Sequence, residues 1–144
     1  FCSLLSDVYE RRDAIKETLL EELWGCFIKF HENDPVAFDA SMFFHQNEAV
    51  RNLSPDLRNM LYKAGSNAVT YQHKITEYGV SQGIFIDCNP RILAEVIWSA
   101  FLGIMQVERS KGQITGKTHI NPTRDIALEV LARGIKKKHK EENN

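Results

Sequence analysis

The stretch "GVSQGIFIDCNPRILAEVIWSAFLGIM", Gly79 to Met105, decides the fold class. Two glycines and an Asn-Pro pair punctuate a long apolar run, so Ile84-Phe85-Ile86 is either the start of a strand or a link between two buried helices. Glycine is the usual left-handed residue just past a helix C-terminus, which ends the preceding helix between Gly79 and Gly83. Only three residues then remain before Asp87-Cys88-Asn89 caps the next helix, and a lone three-residue strand with no partner elsewhere in the sequence is not a stable unit. Ile84 to Ile86 are therefore read as a hydrophobic connector, with Phe85 or Ile86 packed against both helix ends, and the domain as all-α.

Working outward, all four prolines carry the same signal: Asp34-Pro35, Ser54-Pro55, Asn89-Pro90 and Asn121-Pro122. Proline suits the first helical position, where its missing N–H costs nothing. Asp, Ser and Asn side chains accept bonds from the free N–H groups of the first turn. Four helix starts are thus marked. A further helix precedes them, expected over about residues 6–31, with Ile15, Leu19, Leu23, Phe27 and Phe30 at helical spacing. The Pro35 helix carries Phe38, Met42 and Phe43 and is expected to end near Gln46, before a charged link. The Pro55 helix is periodic through Tyr78, as one kinked helix or two short ones around Gly65-Ser66-Asn67.

In the Pro90 helix the polar residues Glu95, Ser99 and Gln106 fall within a strip about 40° wide, so nearly all of its remaining surface needs a cover. Either it is a very central helix or it forms a subunit interface. The last helix, Pro122 to about Lys138, is also broadly apolar, and pairing the two with their symmetry mates would give a four-helix seam of ordinary geometry.

Composition narrows the function classes. The 144 residues suit one domain, 1–144, of which 43% are hydrophobic and 26% charged, with a formal net charge of −1. That balance does not advertise a nucleic-acid surface. Three scattered cysteines, Cys2, Cys26 and Cys88, suggest neither a disulfide framework nor a zinc site, and a reducing cytoplasm is the simpler expectation. The apolar run Ile92 to Val107 is interrupted and short of the ~20 residues of a membrane span, so no membrane role is expected.

Catalytic and phosphate motifs fail on spacing. In "KGQITGKTH" three residues separate Gly112 from Gly116-Lys117-Thr118, where a Walker loop needs four, and a flexible loop is expected. No nucleophile elbow, metalloprotease pair or isolated carboxylate couple occurs, so neither an enzyme, a cofactor nor a metal is expected. His73 and Glu77, four apart, read as an exposed pair before a metal site. His31 and His45 read as satisfied structural histidines, with a polar anchor in a pocket as the alternative. Lys136 to Lys140 complements a helix C-terminus. The many aromatics are either a close-packed core or the walls of an apolar cavity with Trp, Tyr and His as polar handles.

The order of these elements resembles the ligand-binding domain of the tetracycline repressor (TetR) family of bacterial transcription regulators. That family shows a helix ending in Gly-x-x-x-Gly-x-Phe, a short acidic link, a helix capped just before a proline, and an aromatic followed by Leu-Gly. The corresponding residues here are Gly79, Gly83, Phe85, Asp87, Pro90, Trp98, Leu102 and Gly103. "DPVAFDASMFF" and "SPDLRNMLYKAG" sit where the family has pocket-forming helices.

The resemblance implies a homodimer joined through the last two helices, at Ile97, Phe101, Ile104, Ile126, Val130 and Leu131. It also implies a pocket for a small, largely apolar effector, for which Trp24, Phe27, Phe43, Tyr71, Trp98 and Met105 are the expected contacts. The family's N-terminal helix-turn-helix domain has no counterpart ahead of the first helix, and the chain starts at Phe1. Contact with DNA is therefore expected only through a domain not present in these residues. The alternative is a stand-alone helical protein-interaction module.

Overall fold

The computed structural model describes residues 1–44 and 51–137; of Phe43, Phe44 and Ala64 only the backbone is described. Six helices make up the described chain: α1 (Cys2–Glu10), α2 (Leu19–Asn33), α3 (Pro35–Phe44), α4 (Pro55–Ser81), α5 (Pro90–Thr115) and α6 (Ile120–Ile135), with a 3₁₀ turn at Lys16–Thr18. The all-α expectation holds.

Three of the four proline starts follow the expected chemistry. Asp34 Oδ1 accepts from Ala37 N at 3.1 Å, Ser54 Oγ from Leu57 N at 3.3 Å, and Asn89 Oδ1 from Arg91 N at 3.0 Å. The fourth differs. Helix α6 begins at Ile120, with His119 as its cap, and the Asn121 side chain accepts from Arg124 Nη2 at 2.6 Å instead. A buried arginine takes the acceptor that would have served the backbone.

The expected single first helix is two. The chain turns over residues 11–15, where Arg12 Nη1 donates to the Tyr9 carbonyl at 2.8 Å and the Tyr78 hydroxyl donates to Asp13 at 2.6 Å. A straight rod could not bring Leu5 and Val8 into the same core as Leu19, Leu20 and Leu23, all of which are buried. No glycine or proline marks the turn, so periodicity runs across it. Conversely, α4 is unbroken through Gly65-Ser66-Asn67. The Ser66 hydroxyl bonds back to the Lys63 carbonyl at 2.9 Å, which lets a polar residue sit in the helix without ending it.

Helix α2 is the centre of the domain. It packs on α1, α3, α4 and α6, and its Trp24 and Phe27 rings meet Phe101 and Trp98 of α5. Phe27 lies 4.8 Å from Trp98 and 5.5 Å from Phe101; Trp24 stands edge-on to Phe101 at 5.2 Å; Phe38 closes the cluster 6.0 Å from Phe101. Each such pair adds about 0.5–1.5 kcal/mol beyond the area it buries.

The link from α4 to α5 is a connector between helices, as expected, but it does find a backbone partner. Phe85 forms an antiparallel bridge with Lys136, in which Ile86 N donates to the Ile135 carbonyl at 2.8 Å and Lys137 N to the Ile84 carbonyl at 2.9 Å. Gly83, at φ +68°, makes the left-handed turn into this link. Phe85 is buried directly over Gly79. Lys136 Nζ reaches on to the Glu17 carbonyl at 2.8 Å and Glu21 Oε1 at 2.5 Å, fastening the end of α6 to the start of α2.

Candidate functional site

A cleft of about 470 Å³ opens where the end of α2, α3, the last turns of α5 and the start of α6 converge. Its apolar wall follows from helix spacing: Phe38 and Met42 are four apart on α3, and Met105 on α5 faces them. The Asp34 cap fixes where α3 begins and so aims Phe38 inward. At the other end, α5 stops in the left-handed turn of Gly116, at φ +71°, and Ile120 starts α6 at the cleft edge.

Charged groups frame this wall. Arg109 of α5 and Asp39 of α3 both line the cleft and pair at 2.5 Å. Both are about half exposed, so the pair itself is worth little stability; its effect is to hold the guanidinium at the cleft. Glu108, one residue earlier and buried, accepts from His119 N at 2.6 Å and from Lys111 Nζ at 2.5 Å. The Lys111 bond, and then the His119 N–H, hold its carboxyl below the usual range. That carboxylate fixes the turn from α5 to α6.

His31, on the last turn of α2, also lines the cleft, with its ring edge-on to Phe38 at 5.0 Å. Its Nδ1 is buried and has no hydrogen-bond partner. Burial pushes its pKa down, and the nearby Arg124 charge adds to the shift, so the ring is held neutral. Arg124 itself is only 6% exposed. Its Nη2 donates to Asn121 and lies 3.7 Å from Glu32, while its Nε has no partner.

Of the expected effector contacts, Met105 alone is placed on this cleft. Trp24 and Phe27 are fully buried in the aromatic cluster, where neighbouring rings occupy the space a ligand would need. Trp98 is half-buried and stacks on Phe1 at 5.7 Å. Tyr71 sits elsewhere, 6.3 Å from Tyr9 of α1. The Phe43 side chain and the whole of His45 lie outside the described residues. His31 lines the cleft with its Nδ1 unpartnered, which differs from the satisfied structural histidine expected, and the lining residues Asp39 and Arg109 are ones that the sequence reading did not single out. Asp39 and Arg109 are seventy positions apart on two helices, and no local spacing announces their pairing.

The expected dimer residues divide in the same way. Ile97 and Phe101 are fully buried within the chain's own core, because the α5 stripe that carries them packs on α2. They are corrected to core positions. Ile104 and Leu131 are partly buried against that core. Ile126 (62% exposed) and Val130 (63%) do lie on the surface of α6, and α5 presents Ile92, Val96 (49%) and Val107 (63%) along one stripe of its own. The long α5 is also the one described helix apolar enough to cross a bilayer by length and composition, with mean hydropathy 1.3. Its buried stripe is committed to the core.

His73 and Glu77 border a polar pocket of about 210 Å³ with Thr70, Lys74, Pro90 and Arg91. Among the described residues no cluster of three metal-ligating groups occurs. Burial raises the Cys26 thiol to about 11, which leaves it an inert core group. Compared with protein-family models, curated proteins and solved structures, the chain gives no significant match in any of the three.

Proposed function

We propose that the chain is the small-molecule-sensing and dimerisation core of a bacterial, cytoplasmic TetR-like repressor, in which effector binding releases DNA held by an N-terminal domain outside these residues. The observation that carries this reading is the pair of exposed apolar stripes on adjacent helices, Ile92, Val96 and Val107 on α5 and Ile126 and Val130 on α6. Apolar surface of this extent on two packed helices favours a cover, and a second copy of the same two helices supplies one of matching shape. The cleft beside α3 is the effector site in this reading. A ligand there acts only if it binds one arrangement of the helices better than the other. No catalytic step is involved.

The closed aromatic cluster favours a second reading, a helical interaction module whose apolar stripes dock a different protein. Sedimentation velocity separates the two. The unmodified chain is expected to run as a dimer, and Val96→Glu and Val130→Glu, both at surface positions, are expected to give folded monomers. A monomer before substitution, or a dimer that survives both changes, refutes the seam.

A further inference from the structure

His31 lines the cleft together with Asp39 of α3 and Arg109 of α5, and two further charges lie near it outside the lining, Glu32 beside it on α2 and Arg124 on α6. The two carboxylates do not satisfy the cations equally. Asp39 occupies one edge of the Arg109 guanidinium, while Glu32, more than half exposed, stays 3.7 Å from Arg124. Arg124 Nε and His31 Nδ1 are both buried without partners. Leaving a buried polar group unpaired costs about 1–3 kcal/mol, more when it is charged. Of the two residues, His31 belongs to the cleft lining, and its neutral ring donates from Nδ1 in the Nδ1–H tautomer, where an added acceptor would satisfy it.

Beside His31 and Arg109 runs the apolar wall of Phe38, Met42 and Met105. A wholly apolar ligand filling this cleft would strip water from Arg109 and His31 and return nothing to them. An anionic acceptor at one end of an apolar body satisfies both halves. A carboxylate fits best, since its two oxygens accept from guanidinium N–H groups in parallel.

We infer that the cleft binds a small amphipathic carboxylate, with its apolar body along Phe38, Met42 and Met105 and its head group received by Arg109 and His31. This deepens the sensor reading and rests on it for biological meaning, but not for the binding event. The volume of about 470 Å³ suits a medium-chain acid.

The test is calorimetric titration of the 144-residue chain with decanoate and with decanol, which shares its tail and lacks its charge. Decanoate is expected to bind at least about tenfold more tightly, the scale of one charge-assisted hydrogen bond. Arg109→Gln, at a half-exposed position that keeps the fold, is expected to remove most of that advantage and to leave decanol unchanged. Equal affinity for the two probes, no binding by either, or an undiminished preference in Arg109→Gln overturns the inference. Sedimentation of the same samples keeps the two proposals apart: a dimer that ignores decanoate refutes the ligand class alone, whereas a monomer refutes the sensor reading whatever it binds.

Discussion

Replacing Gly79 with alanine is expected to weaken the domain, although the same change at Gly25 is expected to strengthen it. A Cβ built on Gly79 falls 2.3 Å and 2.4 Å from two ring carbons of Phe85, well inside van der Waals contact. The ring has no free direction in which to yield, because Phe85 is fully buried and its backbone is bridged to Lys136. Overpacking of this kind costs about 1–3 kcal/mol, and a pinned ring puts the cost in the upper part of that range. Against it stands the helical preference of alanine over glycine, about 1 kcal/mol. The net expectation is a loss of roughly 1–2 kcal/mol, or roughly 3–8 °C in Tm for a domain of this size.

Gly25, in α2, is the control, since nothing lies within 4 Å of its added Cβ. Gly25→Ala carries the propensity gain without the clash and is expected to stabilise by about 0.5–1 kcal/mol. Urea unfolding followed by the fluorescence of the core residues Trp24 and Trp98 measures both. The difference between the two variants isolates the packing cost, and adding Phe85→Leu to Gly79→Ala is expected to recover part of it. If Gly79→Ala proves as stabilising as Gly25→Ala, the close approach of the link to α4 is wrong, and with it the account of why glycine stands there.

Phe101→Ala, at the meeting point of Trp24, Phe27, Phe38 and Trp98, is expected to cost about 3–5 kcal/mol in the same urea experiment. A cost below about 1 kcal/mol would mean that the cluster is not packed as described. Acid is expected to destabilise the domain in two windows. The His31 pKa is lowered from 6.5, so the unfolded chain takes up that proton first and stability falls as pH drops below 6.5 toward the folded value. The Glu108 pKa is lowered from 4.5, so its contribution is present above 4.5 and disappears as pH falls below it through the folded value. Urea midpoints at a series of pH values are expected to show both declines, the upper one absent in His31→Gln and the lower one shallower in Glu108→Gln. A profile unchanged by either substitution refutes the assignment.

How far the sequence carries depends on whether its signals are local. Pro35, Pro55 and Pro90 mark helix starts because cap, proline and first turn lie within four residues, and the structure uses each as read. The turn after α1 is set by Arg12 reaching Tyr9 and by Asp13 meeting Tyr78, sixty-five residues away, so periodicity passes over it. Apolar character shows that a residue is covered without showing by what. Ile97 and Phe101 satisfy the description of an interface and of a core equally well, and the packing of α2 decides for the core. The candidate site is least legible of all. Its apolar wall repeats at helical spacing, but Asp39 with Arg109, and His31 with Arg124, are brought together only by the crossing of helices far apart in the chain.

The fastening at Lys136 has a consequence for the order in which this protein acquires its structure. Its amine meets the Glu17 carbonyl across 119 positions, and its backbone bridges Phe85. On the ribosome, helices α1 to α5 emerge before that lysine has been made, and Phe85 waits without its backbone partner until the end of α6 clears the exit tunnel. The segment around Trp24 and Phe27 can collapse early, but the ring over Gly79 is locked only by the last turn of α6. Completion of the fold is thereby tied to completion of α6, and a nascent chain stalled before that helix would hold an aromatic core with its latch still open.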